Sequence, residues 1–261
     1  MVNMLKMDMY RLFKSRSFKI VLIVVVLLNL LTGPTDKIFN YIQQKTAKAG
    51  DEPVIWEKTF EMAKYFTSPL GFFDSIMILL SIVWFSYADL GHGYIKNLAG
   101  QLPQKGYTVI SKFIVVGFQN FVLMLAAAIA QTVGFLPFKT CDFTAGMGGA
   151  LGYFFLKWLL LLSISAIILF FSSGLKSKNA ATTTAVLMGG RILSLTYMLF
   201  SFGIQKIPLK FLKDFQLGDY MPDSLMDNTQ PQIVKSVIIS LCIVVVFISF
   251  TVSIFNKKDV N

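Results

Sequence analysis

The sequence has little of the chemistry that most enzymes and metalloproteins use. It contains one histidine, His92, and two cysteines among 261 residues. These numbers are too small for a zinc site built on histidines or for a disulfide framework. The G-x-x-x-x-G-K-[ST] pattern that cradles nucleotide phosphates does not occur in the sequence. We therefore expect a chain that is not an enzyme, binds no cofactor or metal of its own and has no ATPase activity.

Charged residues are also scarce. They make up 15% of the chain, against roughly 25% in an average soluble domain. Hydrophobic residues make up 55%, and the mean hydropathy is +0.64. A helix needs about 20 mostly apolar residues to cross roughly 30 Å of hydrocarbon. The composition therefore predicts an all-α integral membrane protein with a single transmembrane domain over residues 1–261.

About six apolar segments are long enough to be membrane spans. They cover residues 18–33, 71–88, 113–136, 150–171, 180–203 and 232–255. Gly33-Pro34 is expected to stop the first span, because proline lacks the amide hydrogen that a helix interior needs. No acidic residue lies deep in any span, which disfavours a carboxylate proton relay and an intramembrane aspartyl protease.

Residues 3–16 are predicted to form an amphipathic helix on the membrane surface, ahead of the first span. Its apolar side chains fall on one arc of roughly 100° on a helical wheel, and its basic ones on the opposite side. The apolar set is Val2, Leu5, Met9, Leu12 and Phe13, and the basic set is Lys6, Arg11 and Lys14. The alternative is a disordered basic tail.

Basic residues flank the apolar segments, and the formal net charge is +10. This arrangement predicts anionic lipid headgroups as partners rather than nucleic acid. Basic residues cluster at the start of the first span, whereas only Lys37 follows it closely. The positive-inside rule then places both termini in the cytoplasm of a cell, with the spans in the plasma membrane.

Two cations within the spans are candidates for function. Arg191 lies near the middle of the fifth span, where an unpaired charge would cost at least ~2.5 kcal/mol. Two alternatives remain for Arg191. It lines a transport cavity together with the polar residues Gln119, Ser163 and Ser165, or it is a structural arginine bonded to hydroxyls and carbonyls. Lys157 lies in the outer third of the fourth span, where snorkelling to the interface explains it.

The order of these parts resembles the permease subunit of ATP-binding-cassette (ABC) exporters of the second integral-membrane type. The segment Gly93-Tyr94-Ile95-Lys96-Asn97-Leu98 is similar to a phrase that precedes a coupling helix in that family. A proline-to-lysine element, Pro103–Lys112, follows it, and the turn Gly174–Ala180 is similar to the family's link between the fourth and fifth spans. The first helix corresponds to the family's "elbow" helix.

The resemblance implies that the loop 89–112 is a cytoplasmic coupling region. Its contacts to an ATPase would come from Tyr94, Ile95, Lys96, Asn97, Leu98, Gln101 and Leu102. It further implies two separate ABC ATPase subunits that carry ATP and Mg, and a second permease copy or a paralogue. The implied function is export of amphipathic or hydrophobic substrates, as in bacterial permeases that export peptides or confer immunity to lantibiotics.

Other interpretations remain open from the residues alone. The loop 89–112 also fits an ordinary polar connector. The chain could act without ATP as a membrane immunity or sensor protein. A secondary transporter is disfavoured, because the spans lack buried carboxylates and the sequence has no visible inverted repeat or broken helix.

Overall fold

The computed structural model describes residues 2–46, 59–67, 70–91, 106–142, 146–205, 217–227 and 233–257. These residues are almost entirely helical. Two strands of three residues, Thr59–Glu61 (β1) and Thr140–Asp142 (β2), form one parallel pair in which Thr59 lies opposite Thr140.

The helices follow the predicted apolar pattern with several differences at their ends. They are α1 (Val2–Lys14), α2 (Arg16–Leu30), α3 (Thr32–Thr46), α4 (Met62–Thr67), α5 (Phe72–Gly91), α6 (Tyr107–Phe135), α7 (Met147–Leu169), α8 (Lys178–Gly189), α9 (Leu193–Gln205), α10 (Pro222–Asp227) and α11 (Ile233–Lys257). A π-helical turn, Phe170–Gly174, extends α7, and a 3₁₀ turn, Leu217–Tyr220, precedes α10.

Four helices in the described part of the chain are long and apolar enough to cross a membrane. They are Arg16–Thr46, Tyr107–Phe135, Gly148–Gly174 and Ile233–Asn256. A fifth apolar stretch, Phe72–Ala88 of α5, is shorter. Length and composition therefore identify a membrane-embedded helical protein.

The first apolar helix is longer than predicted, and the expected stop at Gly33-Pro34 is wrong. α2 and α3 are nearly continuous, because Leu31 and Thr35 still donate to the carbonyls of Leu27 and Leu31. Pro34 falls in the first turn of α3, where a missing amide hydrogen costs little. A helix of 31 residues measures roughly 46 Å, so it is longer than the ~30 Å hydrocarbon core.

The core lies between α6 and α7. Leu123 and Met124 of α6 and Leu161 and Ile164 of α7 are buried in one apolar cluster. The indole nitrogen of Trp158 donates to the Gly117 carbonyl across the same interface at 2.9 Å. α2, α5, α8 and α11 pack around this pair, which makes α6 and α7 the centre of the bundle.

The bundle has two ends with different neighbours. At the first, here called the α1 end, α1 packs on α6 near its start, and the ends of α5 and α11 and the π turn lie beside it. At the opposite end, the α2–α3 junction crosses the end of α6, and α4 and α10 pack on α7. Each end of the bundle is therefore built from segments that lie far apart along the chain.

Candidate functional site

A buried lysine joins the two helices that flank residues 92–105. Lys112, in the second turn of α6, is 4% exposed. Its ammonium donates to the backbone carbonyl of Ser86 on α5 at 3.2 Å. The sequence pattern predicts Lys112 at the end of a polar loop, but α6 already begins at Tyr107. The helix therefore starts earlier than predicted and carries its first lysine into the bundle.

The first helix, α1, packs against the start of α6, the segment that carries this lysine. Asp8 of α1 is 3% exposed and accepts a hydrogen bond from the Ser111 hydroxyl at 2.6 Å. Arg11 lies 3.6 Å from the same carboxylate, and the Asp8 charge also acts on Lys112. α1 is thus present as a helix, and its acidic residue faces α6 rather than water. Its position at a membrane surface stays a prediction.

Two further contacts attach this cluster to the rest of the bundle. The Ser86 hydroxyl donates to the hydroxyl of Ser172 in the π turn at 2.9 Å. The backbone amide of Gly106 donates to Asn256 of α11 at 2.8 Å, and a Cβ on Gly106 would lie 2.8 Å from a methyl group of Val252. The helix stems on both sides of residues 92–105 are therefore tied to α1, α7 and α11.

The predicted coupling residues themselves, from Tyr94 to Leu102, lie outside the described residues. Their flanks are described, and the contacts above define them. We call Asp8, Ser86, Ser111, Lys112 and Ser172 the base cluster. The pattern of apolar residues did not predict this cluster. The available signal was that Asp8 is the only acidic residue among the first 35.

The polar residues predicted for a cavity lie inside the helix bundle. Gln119 donates through its amide nitrogen to the hydroxyl of Ser81 on α5. Ser165 of α7 accepts from the Asn120 amide at 2.8 Å, and Ser163 donates to the Leu160 carbonyl of its own helix. Gln119, Ser163 and Ser165 are fully buried. Gln119 and Ser165 bond to neighbouring helices, whereas Ser163 bonds within its own helix, and their place in a transport cavity stays a prediction.

Two of these amide groups have unused acceptors. The side-chain oxygens of Gln119 and Asn120 are buried and accept no hydrogen bond. Sequence analysis singled out Gln119 but not Asn120 or Ser81. Adjacent amides in the middle of an apolar span were the available signal, since such residues usually join helices in membranes.

Arg191 lies at a break in the predicted fifth span, not inside a continuous helix. α8 ends at Gly189 and α9 begins at Leu193. The amides of Arg191 and Ile192 turn back to the carbonyls of Met188 and Leu187 at 3.2 and 3.0 Å, the pattern of a Schellman cap.

The cap places Arg191 in an unusual backbone conformation. Its φ is 53°, in the left-handed region where glycine is the common residue. Gly189 lies against the backbone of Ile76 on α5, which fixes the preceding half-helix. The expectation that the chain has no broken helix is therefore wrong.

Lys157 does not snorkel to the interface, so that prediction is wrong. The side chain is 2% exposed, and its ammonium donates to the carbonyls of Met226 and Leu225 at 2.5 and 3.4 Å. These carbonyls belong to the last turn of α10, where a cation complements the helix dipole. In the same helix, Asp223 accepts from the Tyr197 hydroxyl of α9 at 3.2 Å.

The described residues contain no group of three or more histidine, cysteine, aspartate or glutamate side chains that could hold a metal ion. Comparison with known proteins adds no assignment: the chain matches no protein-family model, and no curated protein matches it in sequence.

Proposed function

We propose that this chain is the permease subunit of an ABC exporter that moves amphipathic or hydrophobic substrates, such as peptides, lipid-like molecules or drugs, out of the cell. The observation that supports this most is the base cluster. A loop that receives force from a soluble partner must be attached firmly to the helices that it moves. Polar contacts join the two flanks of residues 92–105 to each other and attach them to three further helices, α1, α7 and α11.

In this proposal, two separate ATPase subunits bind ATP and Mg and dock on the loop at the α1 end. Their closure pushes the loop, and the base cluster passes the displacement to α5, α6 and the π turn. Long helices carry it to the opposite end, where the pathway opens. A second permease copy or a paralogue completes the path about a two-fold axis.

The topology that this proposal requires has six spans: α2, α5, α6, α7, the α8–α9 pair and α11. An even number of spans puts α1 and the end of α11 on one side, in agreement with the contact between Asn256 and Gly106. We assign that side to the cytoplasm and the spans to a bacterial plasma membrane, because basic residues dominate the start of the chain.

The substrate path is proposed to pass Arg191. The broken helix gives this residue a position that a continuous helix would not, in the turn between the end of α8 and the start of α9. Gln119, Ser163 and Ser165 serve as the buried packing layer behind that path. Arg191→Gln is expected to lower transport while membrane insertion and assembly are retained, and normal transport by this variant would remove Arg191 from the path.

The decisive experiment is co-purification. The detergent-solubilised chain should carry with it an ATPase that contains a P-loop, and the pair should hydrolyse ATP faster when substrate is added. Ile95→Asp and Leu98→Asp should abolish this stimulation without affecting insertion. A chain that never associates with an ATPase would contradict the exporter proposal and favour an ATP-independent immunity or sensor protein.

A secondary transporter is the second candidate, and the break at Gly190–Ile192 favours it. Such transporters often bind substrate where a membrane helix is interrupted. Purified chain in liposomes should then accumulate substrate under an ion or proton gradient with no ATPase present. Transport that appears only when the ATPase and ATP are added would exclude this candidate.

A further inference from the structure

α1 presents two opposite faces with different chemistry. Met4, Asp8 and Leu12 form a buried stripe against the bundle. Lys6, Tyr10, Phe13 and Lys14 form the exposed stripe, which we call the outer face of α1. Four-residue and three-residue steps keep each set within an arc of roughly 100°. The buried and exposed faces of α1 therefore differ from those that its apolar pattern predicts, because the polar Asp8 is buried and the apolar Phe13 is exposed.

The exposed charges of the outer face and of the start of α2 are all positive. Asp8 is the only acidic residue among the first 35, and its carboxylate faces Ser111 inside the bundle. Lys6 and Lys14 are exposed, and so are Arg16 and Lys19 in the first turn of α2. Because the sole acid is buried, every exposed charge from residue 2 to residue 30 is positive.

Aromatic rings lie among these cations. Tyr10 is 61% exposed and Phe13 is 49% exposed. The Lys14 ammonium donates to the Tyr10 hydroxyl at 2.7 Å and lies 5.0 Å from the centre of its ring. Phe13 also packs edge-on against Phe118 of α6, with ring centres 5.9 Å apart. The outer face is therefore anchored to the bundle at Phe13 rather than free in solution.

The apolar surface of α2 begins directly beside this face. Ile20 and Ile23 are 56% and 57% exposed, on a helix that is apolar enough to cross a membrane. The order along the surface is thus cations with aromatic rings, followed at once by exposed aliphatic side chains. This order matches the layers of a bilayer, in which charged headgroups lie outside the hydrocarbon.

We propose that the outer face of α1, with Arg16 and Lys19, is a binding site for the headgroups of anionic phospholipids. The phosphate and the net negative headgroup pair with Lys6, Lys14, Arg16 and Lys19. Tyr10 and Phe13 insert at the boundary between headgroups and acyl chains. The bond from Ser111 to Asp8 holds the helix in the orientation that presents this face. The site does not depend on the exporter proposal, since lipid binding is measured on this chain alone.

The test measures lipid selectivity in phosphatidylcholine vesicles that contain the full-length chain. Electron paramagnetic resonance compares the association of spin-labelled phosphatidylglycerol with that of spin-labelled phosphatidylcholine. The variant Lys6→Gln/Lys14→Gln/Lys19→Gln should lower the preference for phosphatidylglycerol by about fivefold for each charge removed, the factor that corresponds to ~1 kcal/mol per basic side chain.

The matched control removes the same charge from the opposite end of the bundle. Lys37, Lys45 and Lys64 are also exposed, and Lys37→Gln/Lys45→Gln/Lys64→Gln should change the preference by less than about twofold. Wild-type selectivity in the α1 variant, or an equal loss in the control, would overturn the proposal.

A single substitution separates an oriented site from a simple effect of net charge. Asp8→Asn adds one positive charge to the chain. If net charge alone set the selectivity, the preference for phosphatidylglycerol would rise by about fivefold. The proposed site predicts no gain, because Asp8 is buried and does not offset the exposed cations. A fivefold gain in this variant would count against the oriented site.

Discussion

The two ends of the bundle each contain a fully buried lysine, but the two lysines contact different kinds of group. At the α1 end, Lys112 bonds to the Ser86 carbonyl and lies in the field of the Asp8 carboxylate. At the opposite end, Lys157 bonds to two main-chain carbonyls of the short helix α10. The charge of the first lysine interacts with a carboxylate on another helix, whereas the second lysine caps a helix terminus. We therefore expect the α1 end to depend more on its lysine.

The largest expected effect is that of Lys112→Met. It removes a positive charge that acts on the buried Asp8 carboxylate and leaves the Ser86 carbonyl without its lysine donor. A broken buried charge interaction typically costs ~3–5 kcal/mol, and we expect a loss of about 3 kcal/mol because Arg11 remains beside Asp8. Lys157→Met removes charged hydrogen bonds to carbonyls, which cost about 1.5–3 kcal/mol. Unfolding in a series of sodium dodecyl sulfate concentrations measures the loss of stability in both variants. Equal losses, or a larger loss for Lys157→Met, would contradict the difference between the two ends.

A double variant sharpens the same comparison. Lys112→Met/Asp8→Asn removes both interacting charges and leaves Arg11, 3.6 Å from Asp8 in the wild type, as the remaining charge of the group. Because replacing both members of an interacting pair of charges costs less than replacing one, this variant should recover part of the stability that Lys112→Met loses. A loss in the double variant equal to the sum of the two single losses would show that the charges do not interact.

The next effect compares close helix contacts at the two ends. A Cβ on Gly33 would overlap the backbone carbonyl of Gly134, whereas a Cβ on Gly106 meets mainly the ends of side chains. Gly33→Ala is expected to cost about 1–3 kcal/mol, since two helix backbones must separate. Gly106→Ala should cost less than about 1 kcal/mol, because a side chain can move more easily than a backbone.

Gly148 provides the control for these glycine variants. A Cβ there meets nothing within 4 Å, so Gly148→Ala should be neutral or slightly stabilising through helix propensity. The same series of sodium dodecyl sulfate concentrations measures the stability of all three glycine variants. A Gly33→Ala variant as stable as Gly148→Ala would mean that the α2–α3 junction does not lie against α6.

The smallest effect tests the break that separates α8 from α9. Arg191→Gly and Arg191→Ala both remove the guanidinium group, but only glycine adopts the left-handed conformation without steric cost. We expect Arg191→Gly to be more stable than Arg191→Ala by about 1 kcal/mol, after allowance for the greater freedom of glycine in the unfolded chain. If Arg191→Ala is the more stable variant, α8 and α9 form one continuous helix rather than two helices joined at a break.

Apolar runs predicted three of the long apolar helices well. α6, α7 and α11 lie close to predicted spans 113–136, 150–171 and 232–255, because a long apolar run has one favourable arrangement in a membrane. The ends were less predictable. Gly33-Pro34 looked like a stop, yet a proline in the first turn of α3 leaves the helix nearly intact.

The candidate site was predictable only in part. Arg191 and Gln119 stand out in the sequence because polar side chains within apolar runs are costly. Asp8 and Lys112 lie near the ends of helices, where charges are ordinary, and nothing local distinguishes a solvated charge from a buried one. Their burial follows from the packing of α1 on α6, two helices that are about 100 residues apart along the chain.

The sequence by itself determined the class of molecule: a helical membrane protein with scarce charge, one histidine and no phosphate-binding loop. Composition suffices for this, because transfer into hydrocarbon depends on each residue's own chemistry. Only the tertiary structure decided which charges are buried, that Lys157 caps α10 and that a break at Arg191 separates α8 from α9. These outcomes depend on which helices meet, and a contact between distant segments adds its free energy only once both have packed.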